Sequence, residues 1–183
     1  MAFRYEIRLS GEGGQGLVLA GKILAEAAAI YDEKNATQSQ SYGPEARGGA
    51  SRSEVIIADE EIDYPKATRL NLLLALTQEA CDKYVKDLLP EGILLVDEEA
   101  VERVPEGSFK VYRVPMVAIA ERETGRALVA NIVALGIITA ITGVVSQGAM
   151  EAAIRARVPK GTEELNLKAF HVGLQVGKTL LGS

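Results

Sequence analysis

Residues 3–30, FRYEIRLSGEGGQGLVLAGKILAEAAAI, decide the fold. Phe3, Tyr5, Ile7 and Leu9 alternate with Arg4, Glu6, Arg8 and Ser10, the period of a strand with one covered face. Leu17 to Ile30 is rich in Ala and Leu and sets Leu17, Ala20, Leu24, Ala27 and Ala28 on one helical face. Between them, Gly11 to Gly16 breaks both patterns. Strand, glycine loop and helix in that order predict a Rossmann-like start to an α/β domain.

The rest of the chain continues the alternation. Lys34 to Tyr42 and Ser51 to Ala58 read as strands, with a turn-rich loop at Gly43 to Gly49. Leu70 to Leu76 and Gly92 to Val96 are short apolar runs suited to strands covered on both faces. Gln78 to Leu89 between them reads as a helix stopped by Pro90. Phe109 to Val114 alternates again, and Pro115 opens a helix to about Glu123. Leu128 to Thr142, Ser146 to Arg157 and Thr162 to Leu181 complete a helical C-terminal part, with Glu163 and Glu164 well placed at a helix start. The expectation is one three-layer α/β/α domain over residues 1–183 with a largely parallel, or mixed, central sheet.

Composition removes several functions. The chain has 183 residues, one Cys and one His, too few for a disulfide, a four-ligand zinc site or an iron–sulfur cluster. A net charge of -5 without a basic block argues against nucleic acid as a partner. The N-terminal residues run straight into the first strand with no leader pattern, which predicts a cytoplasmic protein. Ala127 to Gln147 carries no charge, but its Asn131, Thr139, Thr142, Gly136, Gly143 and Ser146 suit a helix buried in a core or against another subunit better than a membrane span. Part of the apolar content after Ala127 is therefore expected to serve partner contacts.

Gly11-Glu12-Gly13-Gly14-Gln15-Gly16 fits G-x-G-x-x-G in the context that gives that pattern meaning. Three uses stay open: holding an anion or cofactor at the helix N-terminus, allowing close packing or a subunit interface, and binding a dinucleotide. Leu17 and Val18 stand where a P-loop needs Lys and Ser or Thr. The second strand ends in Gln40-Ser41-Tyr42, with no acid there to grip a ribose, and Asp32 and Glu33 precede that strand. A second constellation, Ser39 to Ser53 with Tyr42-Gly43-Pro44-Glu45-Ala46-Arg47-Gly48-Gly49 at its centre, is richer in donors and turn formers than a connector requires; Arg47 suits a carboxylate, a phosphate, Glu45 or an acidic partner subunit. His171 reads as a packing or interface residue without an acidic partner, and Cys81 as a half-buried, inert thiol.

Ser10 to Gly16, Gln40 to Gly49 running into Ser53-Glu54-Val55-Ile56, and Asn166-Leu167-Lys168-Ala169-Phe170 keep an order and spacing by which the chain resembles the gamma subunit of thiamine-diphosphate-dependent 2-oxoacid:ferredoxin oxidoreductases, most closely the 2-oxoglutarate branch. The resemblance implies an enzyme complex that decarboxylates a 2-oxoacid, passes electrons to ferredoxin and transfers the acyl group to coenzyme A. Thiamine diphosphate, Mg and the Fe-S clusters would sit on alpha, beta and delta-type subunits, leaving this chain without a cofactor of its own and without catalytic or metal-binding residues. Its expected cofactor- or interface-binding residues are Gly11, Gly13, Gly14, Gln15, Gly16, Tyr42, Glu45, Arg47, Gly48 and Gly49. Read without the resemblance, the glycine loop also suits a free-standing nucleotide- or cofactor-binding module.

Overall fold

The structure, a computed structural model, describes residues 3–41 and 50–182. β1 (Arg4–Glu12) leads through the glycine turn into α1 (Leu17–Glu26), which ends in a π-helical turn, Ala27–Tyr31. β2 (Asn35–Ser41), β3 (Ala50–Ala58), β4 (Leu70–Ala75), α2 (Gln78–Tyr84), β5 (Leu88–Asp97) and β6 (Lys110–Val114) follow. The chain closes with α3 (Met116–Thr124), α4 (Ala130–Thr142), α5 (Gln147–Arg157) and α6 (Glu163–Gly182).

Among the described residues, six strands form one sheet in the order β2-β3-β1-β4-β5-β6. β1, β4, β5 and β6 are mutually parallel, the expected arrangement, whereas β3 runs against both β1 and β2. Alternation then sorts the side chains: Ile7, Leu9, Val55, Ile57, Leu72, Leu74 and Leu95 face the core under α1 and α3 to α6. Ile56, Leu73, Ala75, Leu94 and Val96 face the thinner layer of α2, with Ala80, Cys81 and Tyr84 against them. Each such Leu or Ile contributes roughly 1.5–3 kcal/mol by leaving water.

Three boundaries differ from the sequence reading. β1 extends to Glu12, so Gly11 is a strand residue paired with Ser51. The helix at Gln78 ends at Tyr84, and Pro90 lies inside β5. Pairing is interrupted there, from Leu70↔Leu88 to Leu72↔Ile93, with Glu91 at φ 65, so the missing proline N–H falls where the ladder is already broken. The apolar run after Ala127 is largely core: α4 is buried from Ala130 to Thr139, and among the described residues from Ala127 onward only Leu128 and Leu181 are large exposed hydrophobics. Among the described residues no helix is long and apolar enough to cross a membrane.

α4 and α6 run in the same direction with their backbones close together. A Cβ on Gly173 would lie 2.0 Å from the Val133 carbonyl oxygen, and one on Gly136 2.2 Å from that of Phe170. Both helices therefore start at the same end of the molecule, beside the glycine turn.

Candidate functional site

At the C-terminal end of β1 the side chain of Gln15 folds back, and its Oε1 accepts from the Glu12 N–H at 2.8 Å. Gly14 and Gly16 take positive φ, 89° and 72°. The Gly16 carbonyl accepts from Ala20 N–H, starting α1, and from Asn131 Nδ2 at 2.9 Å. Asn131 is buried at the first turn of α4, and its Oδ1 accepts from Ile132 N–H where Val129 has no side chain to cap the helix. One amide thus joins the ends of two helices at the turn.

The glycines have separable causes. A Cβ at Gly11 would meet Gln15 Oε1 at 2.1 Å, and one at Gly16 would meet Asn131 Nδ2 at 2.5 Å. Gly14 has open space but needs its positive φ. Gly13 has neither constraint: among the described residues nothing lies within 4 Å of its Cβ position, and its φ is not positive. Close packing of α1 on the sheet falls instead to Gly21, whose Cβ would be 2.0 Å from Ser53 Oγ.

A cleft of about 460 Å³ opens on this turn. Its walls are Glu12 to Leu19, Ser51, the segment from Arg126 to Asn131, and Pro159 to Asn166 at the start of α6. Leu17, Leu128, Val129 and Leu165 make it largely apolar, while Asn131, Thr162 and Asn166 offer hydrogen-bonding groups. Crevices at the carboxyl ends of parallel strands are where open α/β sheets bind ligands. Tyr5, pushed up to about 12 by burial, the Cys81 thiol, raised by burial, and Glu151, lowered by its hydrogen bond with His171, all lie away from it.

Gly13, Gly14, Gln15 and Gly16 line the cleft, and Gly11 lies beneath Gln15. Tyr42, Glu45, Arg47, Gly48 and Gly49 lie outside the described residues. Their flanking residue Ala50 pairs with Glu12, which brings that strand end to the glycine turn. Asn131, Arg126, Thr162 and Asn166 escape the sequence reading as cleft residues; the one available signal was Asn131, an amide opening an apolar helix. His171 does have an acidic partner, Glu151, on the exposed face of α5 and α6. Cys81 is fully buried rather than half-buried.

The topology also disfavours the dinucleotide use of the loop. β3 separates β2 from β1, so an acid at the end of β2 would stand two strand spacings, roughly 10 Å, from the turn. Asp32 is engaged elsewhere, accepting from Ser146 N–H and Oγ, each at 2.7 Å. Nor does the donor set fit a magnesium-bound thiamine diphosphate or an iron–sulfur cluster. The single cysteine is buried, and among the described residues no three His, Cys, Asp or Glu side chains group to hold a metal.

Residues 6–176 match the family described as pyruvate ferredoxin/flavodoxin oxidoreductase. The chain is 54% identical to 2-oxoglutarate synthase subunit KorC of Methanocaldococcus jannaschii, over 97% of this chain and 96% of that one. It is similar to the crystal structure of a keto/oxoacid ferredoxin oxidoreductase gamma subunit from Geobacter sulfurreducens, with TM-score 0.87 and 55% identity over 96% of this chain and 99% of that one. It also shares its fold, TM-score 0.84 at 22% identity, with 31% of a chain of 2-oxoglutarate:ferredoxin oxidoreductase from Magnetococcus marinus, solved with 2-oxoglutarate, coenzyme A and succinyl-CoA bound; 96% of this chain is covered.

Proposed function

The chain belongs to the pyruvate ferredoxin/flavodoxin oxidoreductase family, and on that premise we propose that it is the gamma subunit of a cytoplasmic 2-oxoglutarate:ferredoxin oxidoreductase. The observation that carries this reading is the 54% identity with KorC over nearly the full length of both chains. The complex converts a 2-oxoacid and coenzyme A to acyl-CoA and carbon dioxide, and its two electrons go to ferredoxin. Thiamine diphosphate, magnesium and the clusters belong to the alpha, beta and delta-type partners, in keeping with the donor set of this chain.

The role of this subunit is structural and one of access. Gly13 and Gly14 leave the backbone at the turn open to a neighbouring subunit or to coenzyme A, and the cleft beside them forms one wall of the route taken by the coenzyme. The space around the Cβ position of Gly13, which nothing among the described residues fills, supports this reading. Tyr42, Glu45, Arg47, Gly48 and Gly49 are proposed to serve the same partner or coenzyme contact.

Affinity purification of the native complex tests the assignment, with assays of 2-oxoglutarate, branched-chain 2-oxoacids and pyruvate in the presence of coenzyme A and ferredoxin. Co-purifying subunits and the highest kcat/KM for 2-oxoglutarate are expected. Arg47→Ala is expected to lower coupled oxidation without unfolding the isolated chain; unchanged activity removes that segment from the reading. The cleft on the glycine turn favours one second reading, a free-standing cofactor-binding module. A chain that purifies alone and binds NAD, FAD or ATP tightly in calorimetry would establish it instead.

A further inference from the structure

The two edges of the sheet are built differently. β6, at one edge, has five residues and carries Lys110 and Arg113, the short charged form by which native sheets discourage a further strand. β2, at the other, runs for seven residues, Asn35-Ala36-Thr37-Gln38-Ser39-Gln40-Ser41, with neither a charge nor a proline. It pairs with β3 from Asn35↔Ala58 to Ser41↔Arg52 without a register shift, so no bulge bends it away, and among the described residues no strand lies on its outer side. We infer that this edge takes an added strand: an extended segment of a partner subunit with apolar side chains at alternate positions and an acidic one beside Lys22. The inference rests on the complex proposed above.

A wall for such a strand is already in place. Gln38 turns its side chain to the α1 side of the sheet, where its Nε2 donates to Ser53 Oγ at 3.1 Å and to Gln40 Oε1 at 2.9 Å; Ala36, two residues away, shares that side. There a groove of about 370 Å³ runs between α1 and β2, with Ala25, Ala29, Ile30 and Ala36 in its walls. Ile30 is 62% exposed. A strand added at the usual spacing of about 4.8 Å would set every second side chain against Ala29 and Ile30 while exchanging backbone hydrogen bonds with β2. Charge then selects the occupant. Lys22, Glu26 and Arg157 also line the groove; Glu26 and Arg157 pair with each other, and among the described residues no carboxylate pairs with Lys22. The surplus is positive in a chain of net charge -5, so it favours an acidic neighbour. A second copy meets neither demand: β2 paired with another β2 would bring Gln38 and Gln40 to the groove rather than apolar side chains, and would repeat the lysine.

Hydrogen exchange in the reconstituted complex and in the isolated full chain tests the added strand. On assembly about half of the amides from Asn35 to Gln40, those directed away from β3, should slow at least ~10-fold, because a neighbouring strand takes hydrogen bonds from alternate residues. Lys22→Glu, which reverses the surplus charge, and Ala29→Arg, which fills the groove from an exposed position, should each weaken assembly about 10-fold with Tm within about 2 °C; Lys22→Arg should retain it. A complex that assembles with the exchange of these amides unchanged overturns the inference and leaves the functional reading standing, as does normal assembly of both Lys22→Glu and Ala29→Arg. Protection of the same amides in a dimer of the isolated chain would give the edge to a second copy and overturn it too. A chain that assembles with no other subunit sinks the functional reading and this inference together.

Discussion

Asn131 Nδ2 donates to the Gly16 carbonyl oxygen at 2.9 Å, joining residues 115 positions apart in the chain. The bond ties the turn before α1 to the first turn of α4, and a shorter or apolar side chain leaves that carbonyl and the Ile132 N–H without these partners. Asn131→Ala is expected to cost about 1–3 kcal/mol, read as a lower urea midpoint at unchanged slope. It should also raise the KM for coenzyme A in the reconstituted complex, because the turn loses its fixed height beside the cleft.

Gly16→Ala and Gly13→Ala should behave oppositely. At Gly16 the added methyl meets Asn131 Nδ2 and a backbone at φ 72, a loss of about 2 kcal/mol and roughly 4–8 °C in Tm. At Gly13 it meets open space, so stability should stay within about 0.5 kcal/mol. Assembly of the complex or its coupled activity should nonetheless fall. A Gly13→Ala complex with full activity would remove this glycine from the proposed contact face.

Gly173→Val would place a branched side chain where the Val133 carbonyl oxygen lies 2.0 Å from the Cβ position. Separating α4 from α6 is expected to cost about 3 kcal/mol or more, shown by thermal unfolding. Gly148→Ala, on α5 with nothing within 4 Å, serves as the comparison and should be neutral or slightly stabilising.

Burial lifts Tyr5 from its usual 10.0 to about 12, because the folded chain disfavours the phenolate. The raised value leaves stability intact below pH 10, where both states hold the proton. As pH climbs from 10 toward 12, the unfolded chain releases it first and the folded state loses up to about 2 kcal/mol, allowing for partial exposure. Urea unfolding of Tyr5→Phe beside the unaltered chain should show the unaltered chain losing stability relative to the variant over that alkaline range; parallel curves would refute the assignment.

Much of the fold is legible in the residues because alternation and apolar runs report burial directly. The direction of β3 is not, since Ser51 to Ala58 buries alternate residues whichever way it pairs. The length of the connection was the usable clue: residues 42–49 are too few for the crossover that a parallel neighbour needs. Pro90 misled because it sits at an interruption in the ladder rather than at a helix end. The site was legible only on its glycine side. Its other walls, from Arg126 to Asn131 and from Pro159 to Asn166, are brought there by packing between distant helices, which no local pattern encodes.

The glycine seam between α4 and α6 bears on kinetics as well as stability. Because the backbones touch at Gly136 and Gly173, the two first turns that carry Asn131 and Asn166 cannot slide past each other without breaking the seam. That side of the cleft is a preformed mould, not a hinge. Whatever seats in it meets a finished surface, so its capture should follow a single second-order phase whose rate rises linearly with concentration, without the plateau that a slow opening step imposes.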